Sequence, residues 1–379
     1  MIRLAMPNFG EEEFEAVKEV LKSGYLVQGG KVAQLESMIA DYVGTKYAVA
    51  LSSGTAALHL ALMALEIGPD DEVIVPAFTF PATANVVEIV GATPVLVDIV
   101  LNDFCINTSK IESALTPKTK AIMPVHEFGQ AADMDPIIEL AKKHDLKIIE
   151  DAACALGTEY NEKKVGNFGI LGCFSFHPRK VITTGEGGAG VTSEENLANR
   201  IRALRNHGLT DVHGSYDLVC AGLNYRMTEM QAAIGICQLL KLKEMNSKRN
   251  SIAKQYNEEL KEVERVKTPT TFPNRKHIFQ TYHILLDEKL NRDELILNLR
   301  NYNIETNLGA QALHCLFYYK NKYDFVEMDY PNAFMAYKQG LALPMGSHLQ
   351  ENDISFICGI IKESIWNTDD PRKKIKTYK

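Results

Sequence analysis

The chain has 379 residues, of which 46% are hydrophobic and 23% are charged, an ordinary globular composition. This length is too great for one small domain, so we expect a large domain plus a smaller one. The 41 Lys and Arg residues and the 48 Asp and Glu residues give a net charge of −7, which creates no overall field that attracts polyanions. We therefore predict no nucleic-acid partner.

The seven cysteines are scattered along the chain, odd in number, and form no CxxC pair. Reduced thiols are the simplest interpretation, and we predict no metal site. The chain starts with MIRLAMPNFGEEEF, which lacks a basic region followed by a long apolar run, and no stretch approaches the length of a membrane span. These features predict a soluble, cytoplasmic protein with no membrane partner.

Between Tyr47 and Thr192, short apolar runs alternate with helical patterns, which indicates a mainly parallel sheet covered by helices. Segments such as Thr55–Leu65 and Met134–His144 space their apolar residues as crossover helices do. The predicted strands are Tyr47–Leu51, Glu72–Val75, Thr93–Val97, Ala121–Val125 and Lys147–Glu150, together with the segment GAGVT at residues 188–192. Ligands bind at the carboxyl ends of strands in such sheets, so we expect functional residues there.

The charged stretch KLKEMNSKRNSIAKQYNEELKEVERV, after Leu239, predicts a long helix that leads out of the large domain. We place the boundary near Lys243, which divides the chain into a large domain, residues 1–243, and a small C-terminal α/β domain, residues 244–379. The small domain is expected to contain a strand at Thr281–Leu286 and a helix at Arg292–Tyr302. The N-terminal segment is a candidate to pack on the small domain.

The turn Ser52-Ser53-Gly54-Thr55 joins a predicted strand to a predicted helix. Backbone N–H groups at the start of a helix, with hydroxyl groups beside them, suit a phosphate monoester. The segment has neither the spacing of a nucleotide-triphosphate loop nor a full GxGxxG motif. As an isolated motif it is weak, because Ser and Thr also cap helices routinely.

Two acidic residues, Glu150 and Asp151, end the apolar strand that contains Ile148, and small residues follow them. One carboxylate at this place can face a ligand. A buried carboxylate against a pyridine nitrogen keeps that nitrogen protonated, which makes the ring the electron sink that transamination requires. Capping of a helix N-terminus is an equally good explanation of an acidic pair after a strand.

A single lysine, Lys180, lies in SFHPRKVITTGEGG, which runs from Ser175 to Gly188 and leads into a strand. The glycines allow positive φ and a close approach of the backbone. A lysine becomes a nucleophile when partial burial or a nearby cation lowers its pKa, and we expect a compact cofactor site to supply both conditions. Taken alone, a lysine before a turn is more often a solvated surface charge.

Together and in this order, the three motifs resemble those of the DegT-like nucleotide-sugar aminotransferases, which are fold-type-I pyridoxal-phosphate enzymes. The resemblance extends through SGYLVQGGKV, DEVIVPAFTFPATAN, MPVHEFGQAADMD and LRNHG to GLNYRMTEMQAAIG, and thins beyond it. It implies an α/β fold with a large domain, whose central sheet is mainly parallel, and a smaller C-terminal α/β domain.

By this resemblance, Lys180 forms a Schiff base with pyridoxal phosphate (PLP) and then moves a proton between the substrate carbon and the cofactor. Asp151 pairs with the pyridine nitrogen of the cofactor. Gly54, Thr55 and Ser175 hold its phosphate.

Five further positions are assigned by the same resemblance. Phe80 stacks on the cofactor ring, although plain core packing is the commoner reason for a phenylalanine. Many members carry Gln or His where this chain has Cys154, to bind the ring hydroxyl, and a thiol is only a weak donor. Asn224 resembles an asparagine that crosses a dimer interface to the cofactor phosphate, which implies a homodimer with shared active sites. Arg226 and His314 are assigned to the substrate, with a surface salt bridge as the alternative for Arg226.

The reaction implied is a ping-pong transamination, in which an amino donor, expected to be glutamate, leaves pyridoxamine phosphate and a nucleotide-linked keto-sugar takes up the amine. We favour a dTDP-4-keto-6-deoxyhexose as acceptor, giving a 4-amino-4,6-dideoxy sugar for surface polysaccharide such as the O-antigen of lipopolysaccharide. The alternatives are a 3-keto-sugar or a UDP- or GDP-linked sugar. A pyridoxamine-phosphate-dependent sugar dehydratase, which carries histidine in place of the lysine, is disfavoured by Lys180. A non-catalytic regulator is disfavoured because no basic face or DNA-binding domain is evident.

Overall fold

A seven-stranded sheet forms the centre of the computed structural model, which describes residues 1–369. Its strands are β1 (Tyr47–Leu51), β2 (Glu72–Pro76), β3 (Thr93–Val97), β4 (Thr119–Ile122), β5 (Lys147–Asp151), β6 (Leu171–Ser175) and β7 (Gly188–Thr192). Their order across the sheet is β1-β7-β6-β5-β4-β2-β3, and β7 runs antiparallel to both of its neighbours. The other pairs are parallel, which confirms the predicted mainly parallel sheet.

Twelve helices surround this sheet and fill the C-terminal part of the described chain. They are α1 (Glu11–Ser23), α2 (Gly30–Val43), α3 (Gly54–Ala64), α4 (Ala82–Ile89), α5 (Ile111–Ala114), α6 (Met134–Lys143), α7 (Glu195–Arg205), α8 (Glu229–Leu260), α9 (Arg292–Asn301), α10 (Phe317–Tyr323), α11 (Pro331–Gln339) and α12 (Glu351–Asp369). The predicted crossover helices correspond to α3, from which the prediction is shifted by one residue at each end, and to α6, which ends one residue earlier than predicted.

The two faces of the sheet have separate hydrophobic cores, because successive side chains of a strand point to opposite sides. In β1, Val49 and Leu51 belong to the core under α3, α4 and α7. Ala48 and Ala50 belong to the core under α2, α6 and α8. This double burial explains why the strands appear as continuous apolar runs rather than as alternating patterns.

Two predictions about strands were inaccurate. Strand β4 ends at Ile122 instead of Val125, because Pro124 has no N–H to donate to the ladder. Strand β6 was not predicted at all. Its Gly172 lies where a Cβ atom would come within 2.4 Å of the Gly166 carbonyl oxygen, and a glycine inside a strand weakens the strand pattern.

Helix α8 is one continuous helix that starts twelve positions before the charged stretch from which it was predicted, since the stretch begins at Lys241. A capping box starts it, with the Thr228 hydroxyl accepting from Gln231 N–H at 3.3 Å and Thr228 N–H donating to the Gln231 side chain at 2.9 Å. Its residues as far as Met245 pack in the core of the large sheet, and those from Ile252 onwards pack in a third core. The proposed domain boundary near Lys243 lies inside this helix.

The third core lies around an antiparallel three-stranded sheet of β8 (Val266–Lys267), β9 (Tyr282–Leu286) and β10 (Gly340–Leu343), with α9 and α12 packed on it. The N-terminal segment joins this part of the chain, since Ile2 N–H donates to the Asn303 carbonyl at 2.8 Å. Part of the C-terminal region nevertheless packs in the core under α3 and α4, namely Ala310, Leu313, Tyr319, Ala333 and Ala336.

Short strand pairs and single helical turns complete the fold. The pairs are Leu209–Val212 with Ser215–Leu218, Phe78–Thr79 with Gln311–Ala312, and Glu159–Tyr160 with both Lys163–Lys164 and Arg275–Lys276. None of the helices within residues 1–369 has both the length and the apolar character needed to cross a membrane. Over the same residues, no group of three or more His, Cys, Asp or Glu side chains is placed to hold a metal ion. Residues 370–379 of the proposed small domain lie outside the described part.

Candidate active site

A cavity of about 310 Å³ opens where the carboxyl ends of β1, β5 and β6 meet the start of α3. Seven of the ten residues selected from the sequence line this cavity, which brings together motifs that are far apart in the chain. They are Gly54, Thr55, Phe80, Asp151, Cys154, Ser175 and Lys180.

The start of α3 forms one wall of the cavity. The Ser53 hydroxyl caps the helix by accepting from Ala56 N–H at 3.0 Å. Gly54 lies against Ser175, where a Cβ atom on the glycine would come within 2.6 Å of the Ser175 Cβ. Glycine at this position therefore places the helix N–H groups beside the Ser175 hydroxyl, a combination that suits a phosphate group.

The end of β5 directs its two carboxylates to opposite faces of the sheet, as strand alternation requires. Asp151 faces the cavity, accepting from the Thr83 hydroxyl at 2.8 Å and from Ala153 N–H at 3.1 Å. Burial raises the pKa of Asp151 although both hydrogen bonds favour its charged form. Glu150 points away and pairs with His126 at 2.9 Å. Asp151 is thus the ligand-facing member of the acidic pair.

Lys180 is partly buried, and its Nζ atom donates to the Cys154 sulfur at 3.0 Å. Burial disfavours the ammonium form, but the acidic groups that face the amine, which are the Cys154 thiol and the Asp151 and Glu127 carboxyl groups, outweigh burial and raise the pKa of Lys180. The expectation of a lowered pKa was therefore wrong. The site supplies burial, but carboxyl groups and a thiol face the amine where a cation was expected.

Burial also raises the pKa of the Cys154 thiol, although Lys180 opposes the shift. The thiol is therefore protonated at neutral pH. It lies next to the amine of Lys180 and in the same cavity as Asp151, as expected for a neighbour of a ligand bound between these residues.

Phe80 lies at the mouth of the cavity, where 58% of its surface is exposed. It follows the short strand Phe78–Thr79, while Phe78 itself is fully buried in the core. Core packing, the alternative for Phe80, is therefore wrong, and its ring is accessible to a flat ligand.

Three residues selected from the sequence lie outside this cavity. Asn224 is exposed in the segment before α8, and the Arg226 guanidinium donates to the Asn206 side chain at 2.7 Å. His314 is fully buried, with Nε2 against the Glu327 carbonyl at 3.1 Å and its ring packed on Tyr330. Their assignments to the cofactor phosphate and the substrate stay predictions.

Sequence reasoning missed several residues that line the cavity. From the large domain these include Glu127, which follows β4 in a single 3₁₀ turn (Glu127–Gly129), and Thr83 in α4. The segment VHEFGQ contributed only to the family resemblance. Its polar residues follow the end of an apolar strand, β4, and this position could have indicated Glu127 as a ligand-facing residue. From the N-terminal segment and the C-terminal part of the chain, the missed residues include Leu4, Ala5, Gln280 and Met345.

Gln280 links the two halves of the cavity, because its side-chain N–H donates to the Arg179 carbonyl at 2.7 Å. Arg179 directly precedes Lys180, so the C-terminal half of the chain contacts the loop that holds the lysine. No pattern in the sequence pairs residues so far apart.

The sequence model of the DegT/DnrJ/EryC1/StrS aminotransferase family matches residues 7–362. The chain belongs to this family. It is 40% identical to GDP-perosamine synthase of Caulobacter vibrioides over 366 residues, which are 96% of this chain and 98% of that protein.

Two solved structures show the same fold along most of this aminotransferase. The PLP form of the putative sugar aminotransferase Spr1654 from Streptococcus pneumoniae is 30% identical, with a TM-score of 0.90 and coverage of 95% of this chain and 97% of that one. DesV of S. venezuelae, solved with a ketimine intermediate, is 35% identical, with a TM-score of 0.87 and coverage of 93% and 94%.

These likenesses confirm a fold-type-I α/β architecture and a PLP-dependent sugar aminotransferase. The residues of the cavity fit the cofactor. The Gly54–Ser175 contact leaves helix N–H groups and hydroxyls together for a phosphate, Asp151 is a buried carboxylate, and Lys180 is an amine in the same lining. Their individual roles are proposals.

Proposed function

We propose that this aminotransferase moves the amino group of glutamate onto the keto carbon of a nucleotide-linked sugar, with Lys180 as the attachment point of PLP and as the acid and base of the reaction. The observation that supports the proposal is the convergence of Lys180, Asp151 and the start of α3 in one cavity. When bound, PLP supplies an electron-withdrawing ring that can store and release an amino group.

Lys180 is placed to hold and move the proton at the reacting carbon. Its amine donates to the Cys154 sulfur and lies in the same cavity as Asp151. With PLP bound and the substrate amine in place of the lysine, the neutral amine of Lys180 would take the proton from the substrate carbon, and the resulting ammonium would deliver it to the cofactor carbon.

Asp151 is the proposed partner of the pyridine nitrogen. The Thr83 hydroxyl and Ala153 N–H orient its carboxyl group, and burial strengthens its interaction with a cation. Gly54, Thr55 and Ser175 hold the cofactor phosphate at the helix start, and the exposed Phe80 covers the ring.

The nucleotide end of the substrate has a candidate place next to this cavity. A second cavity of about 450 Å³ shares Leu4, Ala5, Arg179 and Asn307 with the first and adds Arg300. Two guanidinium groups suit a diphosphate, since arginine binds phosphate oxygens in bidentate fashion. We propose this second cavity for the diphosphate, in addition to the contact predicted for Arg226.

The acceptor that we propose is a 4-keto-6-deoxyhexose on a nucleoside diphosphate, which would give a 4-amino-4,6-dideoxy sugar. The dTDP-linked form is our first choice. The 40% identity to a GDP-perosamine synthase supports a GDP-linked form as the second. A 39% identity to the spore coat polysaccharide biosynthesis protein SpsC of Bacillus subtilis supports a role in surface polysaccharide synthesis. We propose the O-antigen of lipopolysaccharide as this polysaccharide and the cytoplasm as the location of the enzyme.

The test is a mass-spectrometric screen of dTDP-, GDP- and UDP-linked 4-keto and 3-keto sugars with ¹⁵N-glutamate as the donor. Transfer of the labelled nitrogen to one acceptor, absent with Lys180→Ala, is the expected result. A product that carries no ¹⁵N and has lost an oxygen would instead identify dehydration, the reaction that Lys180 argues against. No labelled product with any acceptor would contradict the proposal.

We also propose that the active unit is a homodimer with shared active sites. Large apolar side chains are exposed on α1 and just after it, and such patches mark interaction sites. They are Phe14, Leu21, Tyr25, Leu26 and Val27. The patch adjoins the segment that carries Asn224 and Arg226, because Leu26 accepts from Glu229 N–H at 3.1 Å.

Mixed dimers test this proposal. Lys180→Ala and the double variant Asn224→Ala with Arg226→Ala are each expected to be inactive. If each subunit lends Asn224 and Arg226 to the other's site, a mixed dimer has one site with all the lesions and one intact site, so up to about half the native activity returns. Subunit exchange confirmed by native mass spectrometry without any return of activity would show that these residues serve their own chain.

A further inference from the structure

Glu127 lines the cavity, and the proposed function gives it no role. Only 4% of its surface is exposed. Its Oε2 atom has no hydrogen-bond partner within the described residues. A buried carboxyl oxygen without a partner is costly for folding, so its presence at a ligand site points to a group of the ligand.

The backbone around Glu127 fixes where its side chain points. Phe128, the next residue, has a φ of 56°, a conformation that non-glycine residues rarely adopt. The Gly129 carbonyl accepts from the Thr158 hydroxyl at 2.8 Å, and His126 N–H donates to the Asp151 carbonyl at 3.0 Å. The turn is therefore anchored next to β5, and a strained backbone held in this way is typical of functional sites.

The groups that face the Glu127 carboxyl are Lys180, Asp151, Cys154 and the Thr79 hydroxyl. Burial raises the pKa of Glu127 to about 8. The Lys180 ammonium opposes this shift, and the Asp151 carboxylate adds to it. At neutral pH the carboxyl group is thus mostly protonated, and a protonated carboxyl group can donate a hydrogen bond.

The cofactor has one polar group that the proposed contacts leave without a partner. PLP carries a phosphate, a ring nitrogen, a carbon that bonds an amine, and a ring hydroxyl on the adjacent ring position. The start of α3, Asp151 and Lys180 account for the first three. Because the hydroxyl is adjacent to the position that bonds the amine, a group that faces the Lys180 amine would be within reach of it. Besides Glu127, the candidate donor is the thiol of Cys154, which is weak.

We propose that Glu127 is a cofactor-binding residue that donates a hydrogen bond to the ring hydroxyl oxygen of PLP. This inference rests on the proposed attachment at Lys180. A neutral donor withdraws negative charge from that oxygen, which otherwise stabilises the protonated nitrogen linking the lysine to the cofactor. The hydrogen bond therefore lowers the pH at which this nitrogen loses its proton. An ionised Glu127 would raise that pH, because a negative charge favours a nearby cation.

The experiment is a spectroscopic pH titration of the holoenzyme, in which the midpoint of the visible absorption band reports the proton on the linking nitrogen. Glu127→Leu removes the donor, and its midpoint is expected to rise by about one pH unit. Glu127→Gln keeps a neutral donor of similar shape, and its midpoint is expected to stay within about 0.3 units of the native value. Gln130→Leu is the matched control and should leave the midpoint unchanged. Gln130 is also buried, and its side-chain atoms likewise have no partner in residues 1–369, but it does not line the cavity.

Other outcomes overturn the inference. A lower midpoint in Glu127→Leu would mean that the native residue is a carboxylate facing a cation. An unchanged midpoint, with or without a higher KM for the keto-sugar, would mean that Glu127 does not bind the ring hydroxyl. Failure of the proposed function has a separate signature, since Lys180→Ala would then keep the visible band. Folding is checked by circular dichroism, and Glu127→Leu should fold because it removes an unpaired buried carboxyl group.

Discussion

Two buried glutamates lie close to neighbouring strands of the central sheet, and their pKa values shift in opposite directions. Glu150 in β5 pairs with His126 and accepts from the N–H groups of Gly166, Phe168 and Gly169 at 2.6 to 2.7 Å. Burial alone would raise its pKa, but these donors outweigh burial and lower it. Glu127, after β4, has an oxygen without a partner in the described chain, and its pKa rises to about 8.

This comparison separates two regions that share β5. The closed network, formed by Glu150, His126 and the three N–H groups, satisfies its own hydrogen bonds and serves folding. The open cavity, with Asp151, Lys180 and Glu127, leaves polar atoms available to a ligand. Substitutions in the closed network should therefore reduce stability, and substitutions in the cavity should reduce activity more than stability.

Lys180→Ala should have the largest effect on activity. We expect turnover and the covalent cofactor adduct to disappear, because no other residue supplies the amine, while the melting temperature changes little. Borohydride reduction followed by peptide mass spectrometry locates the adduct in the native enzyme. A reducible adduct on a different lysine would contradict the assignment.

Asp151→Asn should slow both half-reactions by orders of magnitude, since a neutral amide cannot hold the pyridine nitrogen in its protonated form. The fold should survive, because the amide oxygen still accepts from Thr83 or Ala153 and a buried charge is removed. Single-turnover kinetics with each half-reaction measure the effect. Near-native rates would show that another group performs this task.

Glu150→Ala tests the other side of the comparison. Removing this carboxylate leaves His126 and three N–H groups without their acceptor, so the free energy of unfolding should fall by about 3–5 kcal/mol. Urea denaturation of the cofactor-free protein measures the loss, with Lys180→Ala as the control. If Glu150→Ala is as stable as the native protein, the distinction between the two regions is wrong.

The smallest expected effect, when it is measured over a single pH unit, is the pH dependence of the free energy of unfolding that Glu127 adds. Its pKa of about 8 in the folded chain lies above its usual value of 4.5, so the folded state retains a proton that the unfolded state releases. Stability from this group is fully present below about pH 4.5 and is lost as pH rises through 8, at no more than about 1.4 kcal/mol per pH unit.

Urea denaturation of the cofactor-free native protein and of Glu127→Gln, compared at pH values across this window, isolates the contribution. In Glu127→Gln the free energy of unfolding should fall less steeply with rising pH, because an amide does not titrate. Identical slopes in the two proteins would mean that Glu127 ionises normally.

The sequence by itself determined the fold class and identified seven of the residues that line the cavity. The strands are continuous apolar runs, so their number and order of appearance follow from local pattern, although β6 was missed because of Gly172. Gly54, Asp151 and Lys180 each occur in a local motif next to a strand end. Such motifs are visible because one short segment contains both the reactive residue and the small residues that expose it.

Only the tertiary structure decided which polar groups share the cavity. Glu127, Gln280 and Asn307 come from three distant segments, and no local pattern relates them. The same limit applies to charge. Whether a buried carboxyl group is ionised depends on the donors that other segments supply, and Glu150 and Glu127 differ in these donors. Long-range packing sets these contacts, so they become known only when the chain is folded.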